Sequence, residues 1–458
     1  MKKVVIAASV FCMSVMLAGS SFGAASHAKR VKGPLTSGPE VTKQCLKCHK
    51  KQAKEFMKTV HWTWETVQNV PGHKGGTKIG KKTAINNFCI AITANWPRCT
   101  SCHAGYGWKD ASFDFKDATK VDCLVCHDTT GKYKKHPKKA GMPKKNVDLL
   151  AVAQNVGKPN RKNCGSCHFF GGGGDRVKHG DLDTSLIKPK KSYDVHMGTD
   201  GANMVCQACH KTTGHDIPGQ AMSVSVGEGP RVECTTCHGA APHSSAMQNK
   251  HAKTVACQTC HIPTFAKDDP TKIWWDWSKA GNKKRKVKED EYGMDDYSKK
   301  KGEFKWQAKI VPTYAWYNGM SERYIVGDKI NPKKIVALTN PLGDIKDKKA
   351  KIYPFKVMRG KQPYDAKNKY LIVPHVFGGY WKHFNWDKAF TDGMKAAGLK
   401  YSGKYGFVES KMYWRTNHMV VPANKALKCN DCHGKKGRLD WKALGYKGDP
   451  RKVGGRKI

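Results

Sequence analysis

The feature that most constrains this chain is a short cysteine motif that occurs eight times. In each copy two cysteines stand three positions apart, and a histidine follows the second cysteine directly. This spacing lets one short segment form two thioether bonds and offer an adjacent imidazole to an iron, as a haem c attachment site requires. Numbered in chain order, the motifs are Cys45, Cys48 and His49; Cys99, Cys102 and His103; Cys123, Cys126 and His127; Cys164, Cys167 and His168; Cys206, Cys209 and His210; Cys234, Cys237 and His238; Cys257, Cys260 and His261; and Cys429, Cys432 and His433.

Two other uses of paired cysteines fit this pattern less well. A zinc site needs two further soft ligands for each pair, and a thioredoxin-like redox site needs a single motif on a βαβ unit. Eight complete motifs therefore predict eight covalently attached haems c. Because haem then supplies much of the buried apolar surface, we expect a haem-cored multihaem cytochrome c fold, mainly α with long loops and little β structure.

The amino terminus predicts export. Two lysines precede an apolar run over 4–17 and then small residues, which is typical of a signal peptide over residues 1–25. No later segment is apolar for long enough to span a bilayer, so we expect a periplasmic protein that is not membrane-embedded. The net charge of +45 usually suggests nucleic acid, but export and the haem propionates argue against that partner.

The motifs divide the rest of the chain into three parts. Seven of them lie in residues 26–265, none in 266–428, and the eighth opens the terminal part, residues 429–458. The haem-free part is rich in tryptophan and lysine. We interpret it as a segment that wraps haem edges, with a partner-docking face as the alternative. A short alternating patch over 369–376 suggests strands but does not define a sheet.

Second axial ligands decide between electron transfer and catalysis. An electron-transfer haem needs a second ligand, whereas a catalytic haem keeps a position open or weakly held. Twelve histidines lie outside the motifs, so their number alone does not identify a haem that lacks one. We expect His27 to have a surface or hydrogen-bonding role. Context favours six others as distal ligands, namely His61, His196, His215, His243, His251 and His418.

A glycine-rich segment after the fourth motif is unusual. Four glycines over 171–174 precede Asp175, Arg176, Lys178 and His179. Glycines let the backbone approach a flat, bulky group, and adjacent side chains of an extended chain can serve two different haems. A buried lysine amine can lose its proton and bind iron. The alternative is a flexible, solvated loop with an ordinary lysine.

Cys89 is the one cysteine after the leader that lies outside a motif. A buried, inert cysteine is the ordinary interpretation. A lone thiol in an oxidising compartment is nevertheless exposed to oxidation, so a functional placement is the alternative. It stands ten residues before Cys99.

Together these features resemble the octahaem tetrathionate reductase family, which is related to multihaem nitrite reductases and hydroxylamine oxidoreductases. The resemblance rests on the seven-plus-one division of motifs, the segment from Cys164 to His179, and the Asn-Asn-Phe run before Cys89. It implies that the second haem is the active site, with Lys178 as its distal ligand and Cys89 nearby. It also implies seven bis-histidine haems, with His179 joining the six distal histidines above.

The resemblance further implies a reductase that converts tetrathionate to thiosulfate, with nitrite and hydroxylamine reduction to ammonia as further activities. A periplasmic or membrane-bound donor would supply electrons to the bis-histidine haems, and a small substrate would displace Lys178. Asp175 and Arg176 are candidates for proton delivery or substrate charge. The rival hypothesis is a non-catalytic electron-transfer cytochrome in which all eight haems are saturated.

Overall fold

The first half of the molecule is built from short helices joined by long ordered loops. The computed structural model describes residues 27–456, so the predicted signal peptide lies outside the described residues. None of the helices within 27–456 is long and apolar enough to cross a membrane. The helices are α1 (Gly38–Leu46), α2 (Lys50–Phe56), α3 (Val60–Thr63), α4 (Trp96–Cys99), α5 (Leu124–His127), α6 (Leu149–Gln154), α7 (Arg161–His168), α8 (Cys206–Cys209), α9 (Thr235–His238), α10 (Ala246–His251), α11 (Cys257–His261), α12 (Trp381–His383), α13 (Trp386–Ala396), α14 (Cys429–Cys432) and α15 (Pro450–Val453).

Several of these helices coincide with a cysteine motif, and the reason is geometric. Residues three apart on a helix lie on the same face, so one helical turn directs both cysteines of a motif towards one haem. Helix α7 is the clearest case. It begins at a capping box, in which the Asn160 side chain accepts from Asn163 N, and it ends at His168.

The second half contains a mixed eight-stranded sheet, so the molecule has more β structure than the sequence led us to expect. Its strand order is β4-β5-β3-β9-β10-β8-β7, and β6 also pairs with β9. The long strands β9 and β10 are antiparallel, with Tyr405 opposite Asp365 and Arg415 opposite Phe355. With the small β1–β2 hairpin, the strands are β1 (Thr66–Gln68), β2 (Thr77–Ile79), β3 (Thr271–Asp276), β4 (Tyr297–Ser298), β5 (Gly302–Gln307), β6 (Thr313–Tyr317), β7 (Ser321–Arg323), β8 (Val336–Pro341), β9 (Lys351–Asp365) and β10 (Tyr405–Arg415).

Lysines within the strands explain why the sequence pattern did not predict this sheet. In β9, Lys356 stands at a buried position between Phe355 and Met358, which are both buried. A buried lysine interrupts the alternation of apolar and polar residues that marks a half-buried strand. The patch over 369–376 forms only an isolated bridge, between Tyr364 and Leu371.

Helix α13 covers one side of the sheet region. Its buried residues Ala389, Phe390, Gly393 and Met394 follow helical spacing, which gives the helix one apolar face. Gly393 is needed for close packing, because a Cβ there would lie 1.9 Å from the Val373 carbonyl oxygen. The helix thereby completes a hydrophobic core that also includes Trp275, Met358 and Met412 from the strands.

Candidate active site at the second haem motif

Six motif histidines each face a histidine from another part of the chain. Two imidazoles that bind opposite faces of one iron, through bonds of about 2 Å, hold their ring centroids roughly 6 Å apart. These six pairs have that separation, so their residues fit haem irons. The centroid distances are 6.2 Å for His49 and His27, 6.4 Å for His127 and His215, 6.1 Å for His168 and His61, 5.9 Å for His238 and His196, 6.1 Å for His261 and His243, and 6.3 Å for His433 and His251.

The fifth motif lies close to His418. Burial lowers the pKa of His210, and the charge of His418 acts in the same direction. The Nδ1 atom of His418 lies 3.3 Å from Asp181 Oδ2. A carboxylate on one ring nitrogen orients the other nitrogen for a metal.

His27 and His179 occupy places that differ from expectation. The ring of His27 pairs with His49, whereas the ring of His179 packs 4.9 Å from the ring of Trp414. The pairing depends on which loops meet in space, and nearness to a motif along the chain carries no information about that.

The second motif has different surroundings. His103 is buried, and its neighbours are the aromatic rings of Trp62 at 5.0 Å, Trp64 at 5.2 Å and Trp108 at 4.9 Å between centroids. Its Nε2 atom lies 2.7 Å from the carbonyl oxygen of Trp62. Burial lowers the pKa of His103 to about 3. Among the ring contacts within residues 27–456, His103 thus has aromatic neighbours and no imidazole neighbour, unlike the six histidines above.

Lys178 lies between the second and fourth motifs. Burial lowers its pKa to about 8, helped by the charge of Lys81, while Cys102 has the opposite effect. The charge of Lys178 in turn helps to lower the pKa of His168, which is caused mainly by burial. Its Nζ atom is 5.4 Å from the ring centroid of Trp414. An amine with this pKa can become neutral at little cost, as an iron ligand must be.

The backbone before Lys178 is held by the sheet region. The ammonium of Lys356, whose residue is 1% exposed, donates to the carbonyl oxygens of Val177 at 2.9 Å and Lys178 at 3.2 Å. It also donates to Thr271 Oγ1 at 2.6 Å, and that hydroxyl donates to the Arg176 carbonyl at 2.6 Å. Three consecutive carbonyls are thus fixed, and we call this arrangement the carbonyl clamp. Sequence reasoning missed Lys356, because nothing along the chain separates it from the other lysines.

Cys89 lies beside the second motif and beneath the glycine-rich segment. Burial raises the pKa of its thiol, and several nearby cations oppose that effect. The charge of Cys89 contributes to the raised pKa of Cys99, which is caused mainly by burial. A Cβ placed on Gly173 would be 3.5 Å from Cys89 Sγ. The structure therefore brings together the lone thiol, the loop that carries Lys178 and the second motif.

Asp175 has structural contacts. Its carboxylate accepts hydrogen bonds from Thr184 N at 3.2 Å and from the Thr184 hydroxyl. Arg176 Nε lies 3.7 Å from Asp175 Oδ2, and Arg176 Nη2 lies 2.9 Å from Asp269 Oδ2. Both charged residues thus have protein partners that fix the turn in which they lie.

Contacts between cysteines of different motifs give the spatial order of the motifs. Side-chain contacts join the first motif to the third, the second to the fourth, the fourth to the fifth and the sixth to the seventh. Three further pairs of motifs lie close enough for the charge of a cysteine in one motif to raise the pKa of a cysteine in the other. They are the third and fourth, the fifth and sixth, and the seventh and eighth motifs. The motifs therefore form a line from first to eighth, with the second as a branch beside the fourth. The pairs are Cys45 and Cys123, Cys102 and Cys167, Cys164 and Cys206, Cys234 and Cys257, Cys126 and Cys164, Cys209 and Cys237, and Cys260 and Cys432.

Eight attachment motifs in one connected array define a multihaem c-type cytochrome. Two family models agree with this class: "Cytochrome c bacterial" matches residues 272–436, and "Cytochrome c554 and c-prime" matches residues 44–128. An uncharacterized protein of Archaeoglobus fulgidus is 24% identical in a match that covers 42% of this chain and 80% of that protein.

A solved structure identifies the family. The crystal structure of octahaem cytochrome c from Shewanella oneidensis is 55% identical and covers 94% of this chain and 99% of its own, with a TM-score of 0.89. The chain belongs to the octahaem cytochromes c, and the predicted membership of the octahaem tetrathionate reductase family is confirmed. It carries eight covalently attached c-type haems, as the motifs predicted.

Proposed function

We propose that this protein is a periplasmic reductase whose second haem, attached at Cys99 and Cys102, has Lys178 as a displaceable distal ligand. The observation that carries the proposal is the contrast at the motif histidines. Six face an imidazole, whereas His103 lies among aromatic rings with a buried lysine close to its motif. A haem held by Cys99, Cys102 and His103 would supply a redox centre at which a substrate could bind.

The remaining seven haems are proposed as bis-histidine centres that conduct electrons. The six ring pairs and the proximity of His418 to the fifth motif support this assignment. It replaces His179 with His27 in the set expected from the sequence. The proposed distal histidines are His27, His61, His196, His215, His243, His251 and His418.

Lys178 has the properties of an iron ligand that a substrate can displace. An amine binds iron more weakly than an imidazole does, and it leaves space for a substrate when it moves away. The glycines before it adopt backbone conformations that bring the loop to the site, with Gly173 at φ 111° and Gly174 at φ 124°. The carbonyl clamp confines the movement to the side chain.

We propose tetrathionate as a substrate, reduced to thiosulfate, with nitrite and hydroxylamine as further substrates reduced to ammonia. Family membership supports this chemistry, and the array of neighbouring motifs supports delivery of several electrons. Exposed motif cysteines lie at the two ends of the line, at Cys48 and Cys429, and also in the fifth and sixth motifs, at Cys209, Cys234 and Cys237. We propose that electrons from a periplasmic or membrane-bound donor enter at one of these exposed motifs.

Turnover and spin state test the proposal together. Wild-type holoprotein, reduced by a viologen dye, should reduce at least one of tetrathionate, nitrite and hydroxylamine. Lys178→Leu should convert one haem of eight to a five-coordinate or water-bound form and lower the KM of the substrate that is turned over, because the substrate no longer competes with an amine for the iron. His179→Leu, the neighbouring control, should leave all eight haems low-spin.

The rival function is an electron-transfer cytochrome with eight saturated haems. It predicts that wild-type protein fails to turn over all three substrates and binds neither cyanide nor nitrite. That result, with every haem still low-spin in Lys178→Leu, would exclude the reductase proposal.

A further inference from the structure

The histidine of the eighth motif, His433, has a carboxylate partner. Its Nδ1 atom lies 2.6 Å from Asp449 Oδ1, and the two side chains are only 15% and 13% exposed. Among the ion pairs within residues 27–456, no other motif histidine has a carboxylate partner, and Asp449 has no lysine or arginine partner. The negative charge of Asp449 therefore acts on His433 and is little screened by solvent.

Two other motif histidines have neutral partners at the same ring nitrogen. His127 Nδ1 lies 2.8 Å from the carbonyl oxygen of Gly157. His210 Nδ1 lies 2.7 Å from the carbonyl oxygen of Pro218. The acceptor at Nδ1 is thus a neutral oxygen at the third and fifth motifs and a charged oxygen at the eighth. These three sites differ in charge and are alike in geometry.

Backbone hydrogen bonds hold the Asp449 carboxylate in place. Its Oδ2 atom accepts from Gly434 N at 2.6 Å, and its Oδ1 atom accepts from Arg451 N at 2.9 Å. The second of these bonds caps helix α15. The Trp441 ring stacks on the His433 ring, with centroids 5.2 Å apart and planes inclined by 20°. The carboxylate and the indole together fix the orientation of the imidazole.

The effect of this carboxylate on the eighth haem follows from ligand chemistry. His433 and His251, with ring centroids 6.3 Å apart, fit the two axial ligands. When Nε2 of a histidine binds iron, Nδ1 carries the hydrogen, and a carboxylate that accepts this hydrogen makes the ring a stronger electron donor. A stronger donor stabilises ferric iron more than ferrous iron, because ferric iron carries one more positive charge. The carboxylate therefore favours the oxidised haem.

We propose that Asp449 lowers the reduction potential of the eighth haem and makes the eighth motif a low-potential end of the line of motifs. The inference rests on the proposed function, because it gives a direction to the electron transfer that feeds the second haem. An electron delivered at the exposed eighth motif moves on towards the seventh and does not remain at the end of the line. Asp449 is a positioning residue, since it acts through His433 and touches no substrate.

The test is a potentiometric titration of the holoprotein, followed by haem absorbance with no substrate present. Asp449→Asn keeps the cap of helix α15 and gives His433 a neutral acceptor, as at the third and fifth motifs. One eighth of the absorbance change should move to higher potential. We expect about a tenfold lower ratio of oxidised to reduced haem at a fixed potential, which is about 59 mV for a one-electron couple. In wild type the same haem should titrate in the lower half of the range that the eight haems span.

A matched control and a second variant complete the test. Asp440→Asn removes an exposed charge of the same segment and should leave the titration unchanged. Asp449→Ser retains a capping hydroxyl but is too short to reach His433, so it should shift the same haem in the same direction if the amide disturbs the local fold.

Three results would overturn the inference. They are unchanged potentials in both Asp449 variants, a shift to lower potential, and a wild-type potential of the shifted haem in the upper half of the range. None of these measurements depends on turnover. Wild-type protein that reduces none of the three substrates would refute the proposed function and leave the outcome of this titration unaffected.

Discussion

The haem-binding segment, residues 27–265, and the sheet segment, residues 266–428, bury apolar surface in different ways. In the haem-binding segment many buried side chains form small separate groups, such as Val41, Leu124 and Leu149. The loops around Phe88 and Val177 instead join the large core of the sheet segment. In the sheet segment one large core joins the strands to helix α13 through residues such as Phe390 and Met412. The first segment therefore depends on haem for its interior, whereas the second is stabilised by ordinary side-chain packing.

The candidate site uses both segments. Lys178 and Cys89 come from the haem-binding segment, but strand β9 of the sheet holds both of their loops. Lys356 on β9 holds the carbonyls of Val177 and Lys178. The Met358 carbonyl, also on β9, accepts a hydrogen bond from Asn87 Nδ2 at 2.9 Å. The sheet segment thus positions reactive groups that it does not contain, which goes beyond the wrapping role expected from the sequence.

The largest effect should come from emptying the sheet core. Phe390→Ala removes a buried ring and should lower the free energy of unfolding of the sheet segment by about 3–5 kcal/mol. Far-ultraviolet circular dichroism in a denaturant titration measures this loss. Val311→Ala, at a residue that is 48% exposed, should cost less than about 1 kcal/mol. A loss for Phe390→Ala no larger than that for Val311→Ala would contradict the claim that side-chain packing stabilises the sheet segment.

The carbonyl clamp should have an intermediate effect that links the two segments. Lys356→Met keeps the length of the side chain but removes three hydrogen bonds, and should cost about 2–3 kcal/mol of stability. We expect a mixture of spin states at one haem, because the backbone of Lys178 loses its support. Lys361→Met, on the same strand, is the control that should leave all haem spectra unchanged. An unaltered second haem in folded Lys356→Met would show that the clamp does not position Lys178.

The smallest effect should come from a surface contact between the segments. His73 Nε2 lies 3.0 Å from Asp328 Oδ1, and the hydrogen bond to Asp328 raises the pKa of His73. The free energy that this ion pair adds to folding is fully present at pH values below about 6.5, the pKa of His73 in the unfolded chain. It is lost as the pH rises through the higher pKa of His73 in the folded protein. We expect at most about 1 kcal/mol, since the pair is partly exposed to solvent. Denaturant unfolding on both sides of this window should show the loss in wild type and not in His73→Gln.

The sequence determined the parts of this molecule that follow from covalent chemistry. Two cysteines and a histidine at fixed spacing define a haem attachment site wherever they occur, so all eight motifs could be identified before the structure was known. Lys178 was predicted as a ligand because the glycines before it permit a close approach and its setting resembles a known family, and this stays a prediction. These signals are local and depend on no distant contact.

Other features depend on contacts between distant parts of the chain. His27 and His49 pair although no local pattern connects them, and His179 looked equally suitable as a ligand. Lys356 differs from other lysines only in what surrounds it in space. The sheet was missed because its strands place lysines where an alternating pattern requires apolar residues.

The central claim, one lysine-ligated haem among seven bis-histidine haems, is tested most directly by ligand-field spectroscopy of the oxidised wild-type protein. Near-infrared magnetic circular dichroism separates amine and imidazole ligation of low-spin haem, and electron paramagnetic resonance quantifies each species. Our account predicts one amine-imidazole haem for every seven bis-imidazole haems. Eight bis-imidazole haems, with no amine-ligated signal, would contradict it.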